Sequence, residues 1–146
     1  MISEFAPAKI NLSLHLVGQK SNGYHLLDSI VSFANVGDNI SIAPGRSGEL
    51  KVAGPFAKDL PSSSHNLVLK AASLFGNIKL SQITLEKNIP VTSGIGGGSA
   101  DAAATVRLLS KFYDKPEPPI EKLISLGSDV PVCMQKGIVR MMGVGE

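Results

Sequence analysis

The chain has 146 residues, of which 43% are hydrophobic and 18% are charged, and its mean hydropathy is +0.17. This composition excludes a disordered or polyelectrolyte chain and supplies enough apolar material for one packed domain. The net charge is only +2, the Lys and Arg residues are dispersed and aromatic residues make up 5%, so nucleic acid is not expected as a partner.

The single cysteine, Cys133, cannot form an internal disulfide, which favours a reducing compartment. No apolar run approaches the roughly 18 residues that would span a membrane, so no membrane partner is expected. The first residues lack the basic and apolar regions of a signal peptide. These features predict a cytoplasmic protein.

Strand patterns dominate the first half of the chain. Apolar residues occupy every second position from Ile10 to Leu16, which predicts a strand with one buried face. The pair Asn22-Gly23 predicts a turn. Residues 26–36 are rich in β-compatible types, and residues 39–43 and 49–52 are predicted as two short strands around a turn.

Helix patterns become frequent in the second half. The spacing of apolar residues and the Gly and Pro positions predict helices at 67–75, 100–113 and 120–126 and strands at 82–86 and 137–142. Because strands cluster early and helices late, the fold class is predicted to be α+β.

The most informative segment runs from Pro90 to Ala100. Four of the five positions from 94 to 98 are glycines, and Ser99 follows as the predicted N-cap of the alanine-rich helix. Glycine lets the backbone approach an anion closely, and a helix N-terminus adds partial positive charge. The segment therefore predicts a phosphate-binding loop, although the P-loop, dinucleotide and protein-kinase patterns fit it poorly. A flexible connector without a ligand is the alternative.

Other positions carry side chains suited to catalysis. Asp129 follows a helix end and precedes Pro131, where a carboxylate could accept a proton from an alcohol. Taken alone, Asp129 is more simply explained as the N-cap of a short turn. Lys9 taken alone is explained as a solvated residue at the end of a strand, and a catalytic role is indicated only if the fold brings it beside Asp129. The pair Tyr24-His25 places a stacking ring next to a hydrogen-bonding ring, although a lone His is more often structural.

Taken together, five segments resemble the GHMP kinases, a superfamily of small-molecule kinases, in their order and approximate spacing. The segments are Ala6–Leu12, Asn22–His25, Asn66–Val68, Gly94–Ala100 and Asp129–Val132. The closest resemblance is to members that phosphorylate a cytidine diphosphate-linked methylerythritol in non-mevalonate isoprenoid precursor synthesis. Two features depart from that group: Thr92-Ser93 replaces a usually glycine-rich pair, and its members are about twice as long. The resemblance therefore implies that residues 1–146 are the N-terminal, ATP-binding domain, without the C-terminal domain.

The resemblance also implies a role for each matching residue. Asp129 would remove the proton from the 2-hydroxyl of the methylerythritol unit, and Lys9 would steady charge at the transferring phosphoryl group. ATP and Mg²⁺ are the implied cofactors, with Ser99 contacting the magnesium. Substrate would be bound by Asn11, Tyr24 and His25. The implied ATP-binding residues are Asn66, Pro90, Val91, Thr92, Ser93, Gly94, Ile95, Gly96, Gly97, Gly98, Ser99 and Ala100.

The implied fold is a mixed β-sheet packed with helices, in which the glycine-rich segment opens a helix. Two alternatives stay open: another GHMP kinase, acting on homoserine, mevalonate or a sugar, and a non-catalytic remnant that binds a nucleotide and transfers nothing. An N-terminal half without its partner domain would expose an apolar face, which predicts self-association.

Overall fold

The computed structural model describes residues 1–23, 25–44, 50–60, 66–76, 81–91 and 94–143. A short 3-10 turn, Ala57–Asp59, follows the third strand. The remaining elements, in chain order, are β1 (Ile2–Gln19), β2 (His25–Pro44), β3 (Leu50–Ala53), α1 (Leu67–Ser73), β4 (Ser81–Glu86), α2 (Gly97–Tyr113), α3 (Ile120–Leu126), α4 (Val130–Cys133) and β5 (Val139–Gly143).

The strands form one five-stranded sheet in the order β1-β2-β4-β3, and β5 also pairs with β2. Strand β3 runs parallel to β4, whereas the other pairs are antiparallel, so the expected mixed sheet and α+β class are confirmed. Strands are present at both positions where two short strands were expected, but the first is the end of a long strand; residues 45–49 of the expected turn lie outside the described residues. Residues 39–43 belong to the long strand β2, and β4 lies between β2 and β3. A pattern read from neighbouring residues does not contain a pairing with a strand that comes 30 residues later.

Helix α2 packs against β1, β2, α1 and α4 and forms the centre of the helical layer. Every residue from Ala100 to Ser110 is buried, because the sheet lies on one side of α2 and other helices lie along its flanks. The helix begins at Gly97 and its N-cap is Gly96, so the prediction of Ser99 as N-cap is wrong. In the described part of the chain, no helix is long and apolar enough to cross a membrane.

The second half of β1 does not bury the apolar face that its alternation predicted. Ile10, Leu12, Leu14 and Leu16 are 42%, 60%, 55% and 68% exposed. The helical layer covers the first half of β1, where Arg107 of α2 bonds to Glu4 and to the carbonyl oxygen of Phe5. The alternation is therefore a true strand signal, but the burial that it implied is wrong for this chain.

Candidate active site

A cavity of about 460 Å³ lies between the start of α2 and the segment that follows β4. Glycine backbone, the start of α2 and the start of α1 all contribute to its lining. Asp129 borders the cavity from the α3–α4 connection. The lining residues are Leu60, Asn66, Leu67, Lys87, Pro90, Val91, Gly94, Gly96, Gly97, Gly98, Ser99, Asp101 and Asp129.

Residues 94–98, here called the glycine segment, need their glycines for backbone conformation and for space. Gly94 and Gly96 have φ angles of 73° and 66°, in the left-handed region that favours glycine. A Cβ on Gly96 would lie 3.1 Å from Cε of Lys9, and one on Gly97 would lie 3.2 Å from Nζ of Lys87. No side chain among the described residues caps the N-terminus of α2, so the first amides of this helix, which begins at the cavity, are left without a side-chain partner.

Lys9 and Asp129 form an ion pair beside this helix N-terminus. Nζ of Lys9 lies 3.2 Å from Oδ2 of Asp129; the lysine side chain is 5% exposed and the aspartate side chain 31%. The backbone amide of Lys9 also donates to the carbonyl oxygen of Ile95, 2.8 Å away. Asp129 does occupy the N-cap position of α4, but its side chain makes no capping hydrogen bond within the described structure. The carboxylate is therefore directed to Lys9 and the cavity instead of to the helix amides.

Asn11 extends this pair along β1. Nζ of Lys9 donates to Oδ1 of Asn11 at 2.7 Å, and Nδ2 of Asn11 donates to Oγ of Ser29 at 2.7 Å. The structure thus places Asn11 beside the catalytic candidates rather than against the cavity wall.

A second charged cluster, Lys87 with Asp38 and Asp101, is almost completely buried beneath the glycine segment. Nζ of Lys87 donates to both carboxylates, and Oδ1 of Asp38 also accepts from the backbone amides of Asn88 and Ile89. Burial opposes the charge on Lys87, but the negative charge of Asp101 and the hydrogen bond to Asp38 raise its pKa. Burial, together with the nearby charge of Asp38, raises the pKa of Asp101 to about 7 against the opposing effect of Lys87.

Asn66 is the N-cap of α1 and also lines the cavity. Its Oδ1 accepts from the amide of Val68 at 2.9 Å, which confirms the predicted N-cap. Its Nδ2 is buried and has no hydrogen-bond partner among the described residues. A buried amide donor at a cavity wall is available to an acceptor on a ligand, because leaving it unpaired carries a free-energy cost.

The remaining predicted site residues are placed as follows. Pro90 and Val91 line the cavity, whereas Ile95 and Ala100 do not. The carbonyl oxygen of Ile95 accepts a hydrogen bond from the backbone amide of Lys9, and the amide of Ala100 donates to the carbonyl oxygen of Gly96 in the first turn of α2. His25 is exposed at the start of β2, opposite Gln19 and at the far end of the β1–β2 ladder from Lys9. Tyr24, Thr92 and Ser93 lie outside the described residues.

The sequence analysis did not predict Lys87, Asp38 and Asp101 as residues of the site. One signal for them was available, since Asp101 is the single acidic residue in an alanine-rich helix. A carboxylate in such a setting requires a buried partner. Nothing local in the sequence identified that partner as Lys87.

Comparison with known proteins agrees with this site. The family model for the GHMP kinases N terminal domain matches residues 66–139, which is just over half of the chain and includes α1, the glycine segment and Asp129. The chain belongs to this family of kinase N-terminal domains.

Particular relatives are similar over the whole chain. Proteins named 4-diphosphocytidyl-2-C-methyl-D-erythritol kinase from Cereibacter sphaeroides and Paracoccus denitrificans are each 53% identical to it, over 146 and 143 residues, and 52% and 49% of their lengths are covered. A crystal structure of 4-(cytidine 5'-diphospho)-2C-methyl-D-erythritol kinase matches 99% of the chain with a TM-score of 0.78 at 33% identity, over 53% of its own length. The chain thus spans about half the length of these relatives.

Proposed function

We propose that this chain is the ATP-binding half of an enzyme that transfers a phosphoryl group to the 2-hydroxyl of 4-diphosphocytidyl-2-C-methyl-D-erythritol. The observation that carries the proposal is the Lys9–Asp129 pair, which stands beside a glycine-lined cavity at a helix N-terminus. The names of the relatives support the choice of substrate.

The cavity has the features that a nucleoside triphosphate requires. A Cβ on Gly96 or Gly97 would crowd the side chain of Lys9 or Lys87, so glycine keeps the backbone itself as the wall of the cavity. The amides at the start of α2 and its dipole suit the phosphates. The unpaired Nδ2 of Asn66, which also lines the cavity, suits a ring nitrogen of the base. Thr92 and Ser93 are retained as ATP-binding predictions on the resemblance alone.

Asp129 is the proposed general base. Its carboxylate accepts the hydroxyl proton while the hydroxyl oxygen bonds to the γ-phosphorus, and the bond from that phosphorus to the β–γ bridging oxygen breaks to release ADP. Lys9 offsets negative charge at the transferring group. Because Lys9 is buried and held by Asn11 and Asp129, its ammonium needs little reorganisation during the reaction.

Ser99 is the proposed contact to magnesium, since it lies in the first turn of α2 on the cavity wall. A magnesium ion held there with the nucleotide would supply positive charge against the phosphates. Tyr24, His25 and Asn11 are retained as substrate contacts. A cytoplasmic location is also proposed, because a single free, buried cysteine suits a reducing compartment.

The test is ADP release from Mg-ATP by this chain, with and without 4-diphosphocytidyl-2-C-methyl-D-erythritol. Homoserine and mevalonate serve as control acceptors, and calorimetry measures ATP binding separately. Release that depends on the cytidine-linked alcohol supports the proposal. ATP binding without release calls for the same assay on the chain joined to the C-terminal half of a relative. A chain that binds no nucleotide, or an active form that prefers a control acceptor, contradicts it.

We also propose that this chain self-associates through β1. Among the described strands β1 pairs with β2 alone, and the second half of β1 exposes Ile10, Leu12, Leu14 and Leu16. An exposed edge strand with apolar side chains can pair with a second copy. Sedimentation should show a concentration-dependent mass that Leu12→Lys with Leu16→Lys abolishes and the control Val36→Lys does not. A wild-type chain that stays monomeric over the same concentrations contradicts the proposal.

A further inference from the structure

A directed chain of hydrogen bonds starts at Lys9 and ends on the backbone of β1. Lys9 donates to Oδ1 of Asn11 at 2.7 Å, Nδ2 of Asn11 donates to Oγ of Ser29 at 2.7 Å, and Ser29 donates to the carbonyl oxygen of Ser13 at 2.6 Å. Ser29 belongs to the neighbouring strand β2 and is 1% exposed. These three hydrogen bonds therefore link β1 with β2 next to Lys9, the candidate catalytic lysine.

The direction of each hydrogen bond follows from the groups involved. The carbonyl oxygen of Ser13 can only accept, so the Ser29 hydroxyl uses its single proton there. Its oxygen is then left as an acceptor, and Asn11 must present its N–H₂ group to it. The other end of the Asn11 amide, Oδ1, consequently faces the ammonium of Lys9. The hydroxyl of Ser29 thus fixes the far end of an asparagine whose oxygen also bonds to the donor-only ammonium of Lys9.

We propose that Ser29 is a positioning residue that acts through Asn11 to hold Lys9 for phosphoryl transfer, an inference that rests on the proposed function. With one N–H bonded to Asn11 and another directed to Asp129, the ammonium keeps its third N–H for the transferring group. Without the Ser29 hydroxyl, Nδ2 of Asn11 loses its acceptor, and the Asn11 amide is then held by its hydrogen bond to Lys9 alone. An Asn11 side chain held at one end only would move toward new acceptors for its N–H₂ group, and Lys9, which is bonded to its Oδ1, would move with it away from the transferring group.

The kinetic test compares Ser29→Ala with Ser29→Thr and with Ser32→Ala, a control at a half-buried serine of the same strand. Ser29→Ala is expected to lower kcat roughly 10- to 100-fold, the scale of a misplaced catalytic group. The KM for ATP should stay within twofold, because the glycine segment and Asn66 are unchanged. Threonine keeps the hydroxyl and should restore most of kcat, and Ser32→Ala should match the wild type.

An NMR measurement tests the same inference without any activity. In the wild type the side-chain amide protons of Asn11 should show Overhauser contacts to residue 29, and in Ser29→Ala these contacts should be lost and the amide signals should shift. If no form of the protein turns over, the proposed function fails while this measurement still decides the role of Ser29. Asn11 amide signals that keep their contacts and shifts in Ser29→Ala, or a kcat within twofold of the wild type in an active form, would overturn the inference.

Discussion

Lys9 and Asp129 come from opposite ends of the chain, and Nζ of the lysine lies 3.2 Å from Oδ2 of the aspartate. The contact brings β1 together with the short helix α4 beside the N-terminus of α2. It also gives Asp129 a partner other than the amides of α4, so its position at the N-cap does not account for its side chain.

Replacement of the proposed base should affect turnover and spare nucleotide binding. In the form of the protein that the ADP-release assay shows to be active, Asp129→Asn is expected to lower kcat by roughly 10²- to 10⁴-fold, since the amide cannot take up the proton. The dissociation constant for ATP, measured by calorimetry, should change less than threefold. Near-normal turnover in Asp129→Asn would remove Asp129 from the mechanism.

Two glycines offer a matched test of the cavity wall. Gly94 and Gly96 both have positive φ angles, but a Cβ on Gly94 meets nothing within 4 Å, whereas one on Gly96 lies 3.1 Å from Cε and 3.2 Å from Cβ of Lys9. Each alanine variant should lose about 1 kcal/mol of stability from backbone strain. Only Gly96→Ala should displace Lys9 as well, and its kcat should fall at least tenfold further than that of Gly94→Ala. Equal losses of kcat in both variants would show that strain alone matters there.

The buried cluster predicts how stability depends on pH. Burial raises the pKa of Asp101 from an ordinary value of 3.8 to about 7, so the folded protein holds this proton more tightly than the unfolded chain. The resulting stabilisation is complete below about pH 4 and is lost as the pH rises through 7. The Tm of the wild type should therefore fall by several degrees between pH 5 and pH 8.

The variant Asp101→Asn tests which group causes that fall. Asparagine keeps the shape of the side chain and leaves Lys87 paired with Asp38, so its Tm should depend less on pH over this range. The control is Glu117→Gln, at an exposed position. If Asp101→Asn keeps the full wild-type dependence, another group is responsible.

The single cysteine should be chemically inert in the folded protein. Cys133 is 2% exposed, and burial, with the nearby charge of Asp129, raises the pKa of its thiol to about 12. At pH 8 only about one thiol in 10⁴ would be ionised, and the thiolate is the reactive form. We expect no reaction with a disulfide reagent under native conditions and one equivalent after addition of denaturant. Stoichiometric labelling within minutes in the native state would contradict this burial.

Much of the fold could be predicted from local patterns. Alternation along β1, the Asn66 cap and the alanine-rich stretch each reflect interactions within a few residues, and the structure contains the predicted strand, cap and helix. The start of α2 could not be predicted in the same way. The glycines have poor helix propensity, yet Gly97 and Gly98 are helical because the left-handed Gly96 precedes them and the packed helix continues after them.

The residue types of the candidate site are present in the sequence, but their assembly depends on tertiary structure. The glycine segment indicates an anion by itself, since backbone freedom and a helix N-terminus are local properties. The pairing of Lys9 with Asp129, the burial of Lys87 between two aspartates and the position of Ser29 under Asn11 all require strands and helices from distant parts of the chain. Exposure along β1 is decided in the same way, because an alternating strand buries its apolar side chains only where another element covers them. Local sequence thus determined the elements and the reactive groups of this protein, and only packing decided which groups meet and which remain in contact with solvent.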